Sequence, residues 1–131
     1  MKENTIQLRV RYGETDQMGV VYHANYAHYL EQGRTEWLRE MGISYKWMEE
    51  NNTQLPVVNL TIDYKKPARY DDVISVKTVL RKIPTVKIEF DYEIRNEKDE
   101  LLVTASTTLV FINSSTKKLT KAPDYLLEKL I

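Results

Sequence analysis

Residues 25–42, "NYAHYLEQGRTEWLREMG", decide the fold. Tyr26, Tyr29, Leu30, Gly33, Trp37, Leu38 and Met41 recur at three- and four-residue spacing, which puts them on one face of a helix. Glu31, Arg34, Glu36 and Arg39 read as mostly solvated. The spacing predicts a helix from about Asn25 to Met41, stopped by Gly42. Gly33 stands on the apolar face. Glycine inside a helix costs about 1 kcal/mol against alanine. Close packing of another element at Gly33 is therefore expected.

Outward from this helix the period changes. In 5–11, "TIQLRVR", Ile6, Leu8 and Val10 alternate with Gln7, Arg9 and Arg11, the pattern of a half-buried strand. After the helix, "SYKWMEEN" at 44–51 predicts a short second helix capped by Ser44. Strands are expected at 55–66, 72–82, 86–95 and 101–112. The third is the clearest: Val86, Ile88, Phe90, Tyr92 and Ile94 share one face, and five charged residues the other. The fourth, "LLVTASTTLVFI", is apolar or small on both faces, as a central strand covered on both sides would be. "APDYLLEKLI" allows a short terminal helix with Pro123 near its first turn.

The order is strand, long helix, then four strands joined by short links, which imply antiparallel pairing. An α+β fold follows, one antiparallel sheet wrapped over one central helix. Such a sheet has open edges, and pairing with a second subunit would cover them. The 131 residues suit one domain over 1–131. Nineteen Lys and Arg balance nineteen Asp and Glu, so the basic field that nucleic acid usually requires is missing. There is no cysteine, which removes disulfides, thiol nucleophiles and thiolate metal sites. No membrane span is expected, and "MKENTIQLRV", without a continuous apolar segment, is not expected to be a signal peptide. The expected compartment is the cytoplasm.

The chemistry-bearing residues concentrate in 13–26, "GETDQMGVVYHANY". Asn25 suits an N-cap, so the backbone N–H groups near His23 to Tyr26 would lie at a helix N-terminus, where negative charge is favoured. Asp16 lies upstream on the same loop. A carboxylate near an oxyanion donor serves as general base or nucleophile in acyl transfer. Gly19 lets the backbone approach a ligand. The plainer readings stand beside these. Asp16 before Gly19 fits an Asx-turn, His23 fits a satisfied half-buried histidine, and Tyr26 and Tyr29 fit core aromatics. His23, His28 and Asp16 lack the pattern of a metal site, so none is expected.

"YGETDQMGVVYHANYAHYLEQGR" closely resembles the loop and helix start of hotdog-fold acyl-CoA thioesterases of the 4-hydroxybenzoyl-CoA thioesterase type. "PARYDDVISVKT", at 67–78, matches that family's second recurrent stretch, and the element order agrees over nearly the whole chain. The resemblance implies a hotdog: a five-stranded antiparallel sheet around one long helix, dimerising edge to edge, with many members tetrameric. It implies hydrolysis of an acyl-CoA with no cofactor. Asp16 matches the catalytic carboxylate, His23 the position whose backbone N–H polarises the carbonyl, and Tyr12 an aromatic that often lines the site. Gly19, Val20, Tyr22 and Asn25 fall in the substrate-contacting loop. Lys65, Lys66 and Arg69, and Lys82 and Lys87 around the Pro84 turn, are the expected partners of the CoA phosphates, though each also reads as a solvated surface charge. A non-catalytic acyl-CoA-binding module and a hotdog hydratase or dehydratase remain as alternatives.

Overall fold

The computed structural model of the chain describes residues 2–131; Met1 lies outside the described residues. The elements run β1 (Glu3–Arg9), a 3-10 turn (Tyr12–Glu14), α1 (Asn25–Glu40), α2 (Tyr45–Glu50), β2 (Thr53–Gln54), β3 (Val57–Tyr64), β4 (Val73–Leu80), β5 (Lys87–Arg95), β6 (Leu101–Asn113), β7 (Lys118–Thr120) and α3 (Asp124–Leu130). The sheet is antiparallel throughout. Its long strands lie in the order β1-β4-β5-β6-β3, and the short β2 and β7 pair with the last residues of β6.

That order corrects one expectation. The β4–β5 and β5–β6 links are hairpins, but β3 pairs with β6 and not with its successor β4. The link from Lys65 to Asp72 instead crosses the end of the sheet past β5 and β6. Three strand spacings are about 15 Å, well within reach of a link of that length. β3 thus becomes one outer edge and β1 the other.

Helix α1 lies against the inner face of the sheet. Trp37 is fully buried, with its ring edge-to-face on Phe90 at 4.9 Å. Its indole N–H reaches the Lys2 carbonyl at 3.2 Å. Gly33 is where helix and sheet meet most closely. A Cβ there would stand 2.5 Å from Thr78 Oγ1 and 3.1 Å from Val76 Cγ1. The close approach expected at that glycine is therefore present.

Arg34 is a second correction, since it is only 7% exposed. It lies four residues after Leu30 and three before Trp37, so the helical period carries it into the buried stripe whatever its charge. Its guanidinium donates to the Tyr92 hydroxyl at 3.3 Å, and that hydroxyl shares a 2.6 Å hydrogen bond with Thr107. On β5, Ile88, Phe90, Tyr92 and Ile94 are buried as their alternation requires, whereas Val86 precedes the strand and is half exposed. Ser44 caps α2 by accepting the Trp47 N–H at 3.1 Å. Among the described residues, no helix is long and apolar enough to cross a membrane.

Candidate active site

Between β1 and α1 the chain folds back on itself in a small hairpin. The Asp16 N–H donates to the Val20 carbonyl at 2.9 Å, and the Gly19 N–H to the Asp16 carbonyl at 3.0 Å. Gly19 has φ +78°, a left-handed conformation that glycine adopts without Cβ strain. Asp16 Oδ1 accepts the Met18 N–H at 2.8 Å, so the carboxylate does close an Asx-turn. Its Oδ2 has no hydrogen-bond partner among the described residues, and one oxygen of the half-exposed carboxylate stays available. The returning arm is pinned to the second recurrent stretch. Val20 bridges to Arg69, and the Val21 N–H donates to the Ala68 carbonyl at 2.9 Å.

The helix start differs from expectation in one respect. Ala24 is the N-cap, and Asn25 is the first helical residue. The Asn25 amide instead donates to the Glu14 carbonyl at 2.8 Å, alongside the Tyr22 N–H at 2.9 Å. Asn25 ties the hairpin to the helix without capping it. The first turn is tight: the Asn25 N–H goes to the Tyr22 carbonyl at 2.9 Å and the Tyr26 N–H to the His23 carbonyl at 3.3 Å. The N–H groups of His23 and Ala24 find no acceptor among the described residues. They are the open donors of the helix end, where the backbone dipoles favour negative charge.

Asp16, Val20 and His23 line one cavity of about 370 Å³, together with Met18, Tyr26, Tyr64 and the Lys65–Pro67 turn. Two of its aromatic walls are fastened through their hydroxyls. The Tyr26 hydroxyl accepts the Ala68 N–H at 3.1 Å, and the Tyr64 hydroxyl donates to the His23 carbonyl at 3.1 Å. The Tyr64 ring meets the rings of Tyr26 at 5.5 Å and His23 at 6.4 Å, edge to face. Burial raises the pKa of Tyr26, which keeps its hydroxyl neutral.

The other expected site residues are dispersed. Tyr22 is exposed with its ring tilted on His23 at 4.5 Å. Tyr12 is 77% exposed and meets Tyr70 edge to face at 5.7 Å, outside the cavity. Asn25 lines a different cavity of about 680 Å³ with Arg11, Glu14, His28 and Glu31. Lys65 and Lys66 border the Asp16 cavity, and Lys66 is paired to Glu100 at 2.8 Å. Arg69 lines a third cavity of about 340 Å³. Lys82, in the β4–β5 link, lies 3.5 Å from Glu89, and Lys87 is the first residue of β5; both are at the opposite end of the sheet. Met18 and Tyr64 carry no site signal in the sequence, and Tyr26 reads there as a core aromatic. Strand alternation puts Tyr64 on the face of Leu60 and Ile62, but nothing local signals that this face ends at the helix start.

Residues 10–130 match the Thioesterase-like superfamily. The chain is 33% identical over 106 residues to the acyl-CoA thioester hydrolase YbgC of Escherichia coli O6:H1, spanning 81% of this chain and 79% of that protein. It superimposes on a DHNA-CoA thioesterase from Staphylococcus aureus with a TM-score of 0.88 and 39% identity, over 92% of this chain and 81% of the other. Slr0204 from Synechocystis, a 1,4-dihydroxy-2-naphthoyl-CoA thioesterase, gives a TM-score of 0.91 at 25% identity, over 98% of this chain and 96% of that one. The antiparallel sheet curled over α1 is thus a hotdog fold, and the chain belongs to the thioesterase-like superfamily.

Proposed function

We propose that this protein hydrolyses acyl-CoA thioesters, releasing a carboxylate and free CoA. The observation that carries the reading is the pairing, at one 370 Å³ cavity, of a carboxylate oxygen left free on Asp16 with the open N–H of His23. As a nucleophile adds to the thioester carbonyl, the oxygen gains negative charge. The His23 N–H is a fixed donor for that charge, and one such donor is typically worth about 10²- to 10³-fold in rate. Asp16 either takes a proton from the attacking water or adds to the carbonyl itself, forming an anhydride that water then opens. In both routes the C–S bond breaks, one water is consumed overall, and sulfur leaves as the CoA thiolate.

The binding partner of the β3 edge is, in this reading, a second copy of the chain. Val57, Val58, Leu60 and Tyr64 are exposed on β3, whose outer edge pairs with no strand among the described residues, an arrangement that soluble proteins cover. Two β3 strands paired about a two-fold axis run antiparallel. The far end of one sheet, with Lys82 and Lys87, then lies beside the near end of the other, with Lys65 and Lys66. That arrangement accounts for phosphate-binding cations drawn from both ends of the sheet.

A panel of aliphatic and aromatic acyl-CoAs, followed by free-thiol release, tests the activity. Turnover well above the buffer rate on at least one member is expected, and no turnover on any would refute the reading. Light scattering on the same sample is expected to give a dimer or tetramer.

A further inference from the structure

We infer that Tyr64 is a positioning residue for this site, holding the first peptide unit of the oxyanion-binding end of α1; the inference rests on the thioesterase reading above. Tyr64 is the last residue of the edge strand β3, and lies forty-one positions from His23 in sequence. Its hydroxyl donates to the His23 carbonyl at 3.1 Å. That carbonyl belongs to the same planar peptide as the Ala24 N–H. The hydroxyl therefore grips the peptide unit that follows directly on the His23 N–H, the open donor of the residue that lines the cavity.

Local structure holds this unit weakly. The only other hydrogen bond to the His23 carbonyl among the described residues is a long one, 3.3 Å, from the Tyr26 N–H. Ala24 as N-cap brings no side-chain bond to the turn. A hydroxyl on the carbonyl does two things there. It stops the peptide from tilting, and it limits backbone rotation at His23, whose own N–H is the donor. Both effects matter most when charge has developed on the substrate oxygen, so they bear on the transition state more than on substrate binding.

The Tyr64 ring has a separate task. It stands edge to face with His23 and Tyr26 and forms part of the cavity wall. Removing the hydroxyl alone leaves that wall in place. The position on an edge strand adds a consequence: whatever fixes β3 also fixes the grip on the helix start.

The test is Tyr64→Phe beside Tyr64→Leu, assayed on the best acyl-CoA from the panel. A hydrogen bond of this kind is worth up to about 10-fold, so the Phe variant is expected to lose about 5- to 10-fold in kcat. Its KM should stay within about twofold, and its melting temperature and oligomeric state should match wild type. The Leu variant, which also lacks the ring, is expected to add a rise in KM. In an amide-resolved NMR spectrum the Ala24 N–H signal should move in the Phe variant, independently of any turnover. An active wild type whose Phe variant keeps full kcat and an unmoved Ala24 signal overturns the positioning role and leaves the thioesterase reading intact. A wild type that hydrolyses no thioester overturns that reading instead, while the Ala24 signal still reports the grip. Loss of melting temperature with kcat per folded molecule unchanged would reduce Tyr64 to a structural residue.

Discussion

The two halves of α1 are held in opposite ways. From Gly33 to Leu38 the helix is held mainly by close packing, with hydrogen bonds from Arg34 and Trp37 beside it: Gly33 meets Thr78 and Val76, and Trp37 meets Phe90 with no exposed surface. At its start the helix is held by named hydrogen bonds. Asn25 reaches the Glu14 carbonyl, Tyr29 the Glu14 carboxylate, and Tyr64 the His23 carbonyl. Packing is non-directional and tolerant of small rotations. Hydrogen bonds fix angles, and a donor that must meet a developing charge needs its angle fixed. The difference implies that chemistry and stability separate along one helix, and substitutions can test that separation.

The largest expected effect lies at the start. Asn matches Asp in size and retains an oxygen for the Met18 N–H, so Asp16→Asn keeps the Asx-turn. It cannot accept a proton or attack as a carboxylate. Loss of a general base typically costs about 10²- to 10⁴-fold, so kcat is expected to fall at least about 10²-fold. The melting temperature should hold within a few degrees. Thermal melts and thiol release on one preparation decide the matter, and a variant at near wild-type kcat would remove Asp16 from the chemistry.

The converse substitution sits in the packed half. Gly33→Ala improves helix propensity by about 1 kcal/mol, but its methyl enters space held by Thr78 Oγ1. Thr78 is fully buried and β-branched, so its side chain has little room to turn away. Overpacking of this kind costs about 1 to 3 kcal/mol, and a net loss of about 1 to 2 kcal/mol in chemical denaturation is expected. Turnover per folded molecule should be unchanged. Adding Thr78→Ala is expected to recover part of the loss relative to Thr78→Ala alone, because the clash has gone. A fall in kcat comparable to that of Asp16→Asn would break the separation of the two halves.

These two sites also mark how far the sequence is legible. Gly33 is readable because helical period and a helix-disfavoured residue coincide, and only close packing reconciles them. The Asp16 loop is readable because its turn residues lead directly into a helical pattern. At Arg34 charge type argues for solvent and the helical period for burial, and the period wins because Tyr92 supplies a partner for the guanidinium. Residue preference makes Asn25 a cap, but the Glu14 carbonyl, eleven residues away, claims its side chain. The β3–β6 pairing and the contact of Tyr64 with His23 join segments far apart in the chain, and local pattern holds no record of them. β7, three residues long, is too short to show alternation.

The smallest effect is expected where the two halves meet, at Glu14. Its Oε1 accepts the Arg11 N–H at 2.9 Å and the Tyr29 hydroxyl at 2.8 Å, and Tyr29 belongs to the buried face of α1. Burial alone would raise the Glu14 pKa. The Arg11 N–H, the Tyr29 hydroxyl and the Arg11 guanidinium outweigh it, and the carboxyl is held below its ordinary value of 4.5. A carboxyl with a depressed folded pKa stabilises the fold fully above its unfolded pKa. That stability is lost as pH falls through the folded value. Glu14→Gln keeps an oxygen for both donors but removes the charge. At pH 7 it is expected to cost about 1 kcal/mol, or about 3 to 6 °C in melting temperature. The difference from wild type should shrink as pH drops below 4.5, because a protonated glutamic acid side chain and a glutamine side chain are then nearly equivalent at this position. Melting curves of both proteins from about pH 7 down to about pH 3 measure it, and a constant offset would show that the charge on Glu14 contributes nothing. Thiol release at pH 7 completes the comparison. Glu14 holds the hairpin through its backbone and the packed face through its side chain. A change in melting temperature with kcat preserved would put the boundary between the two halves at this residue.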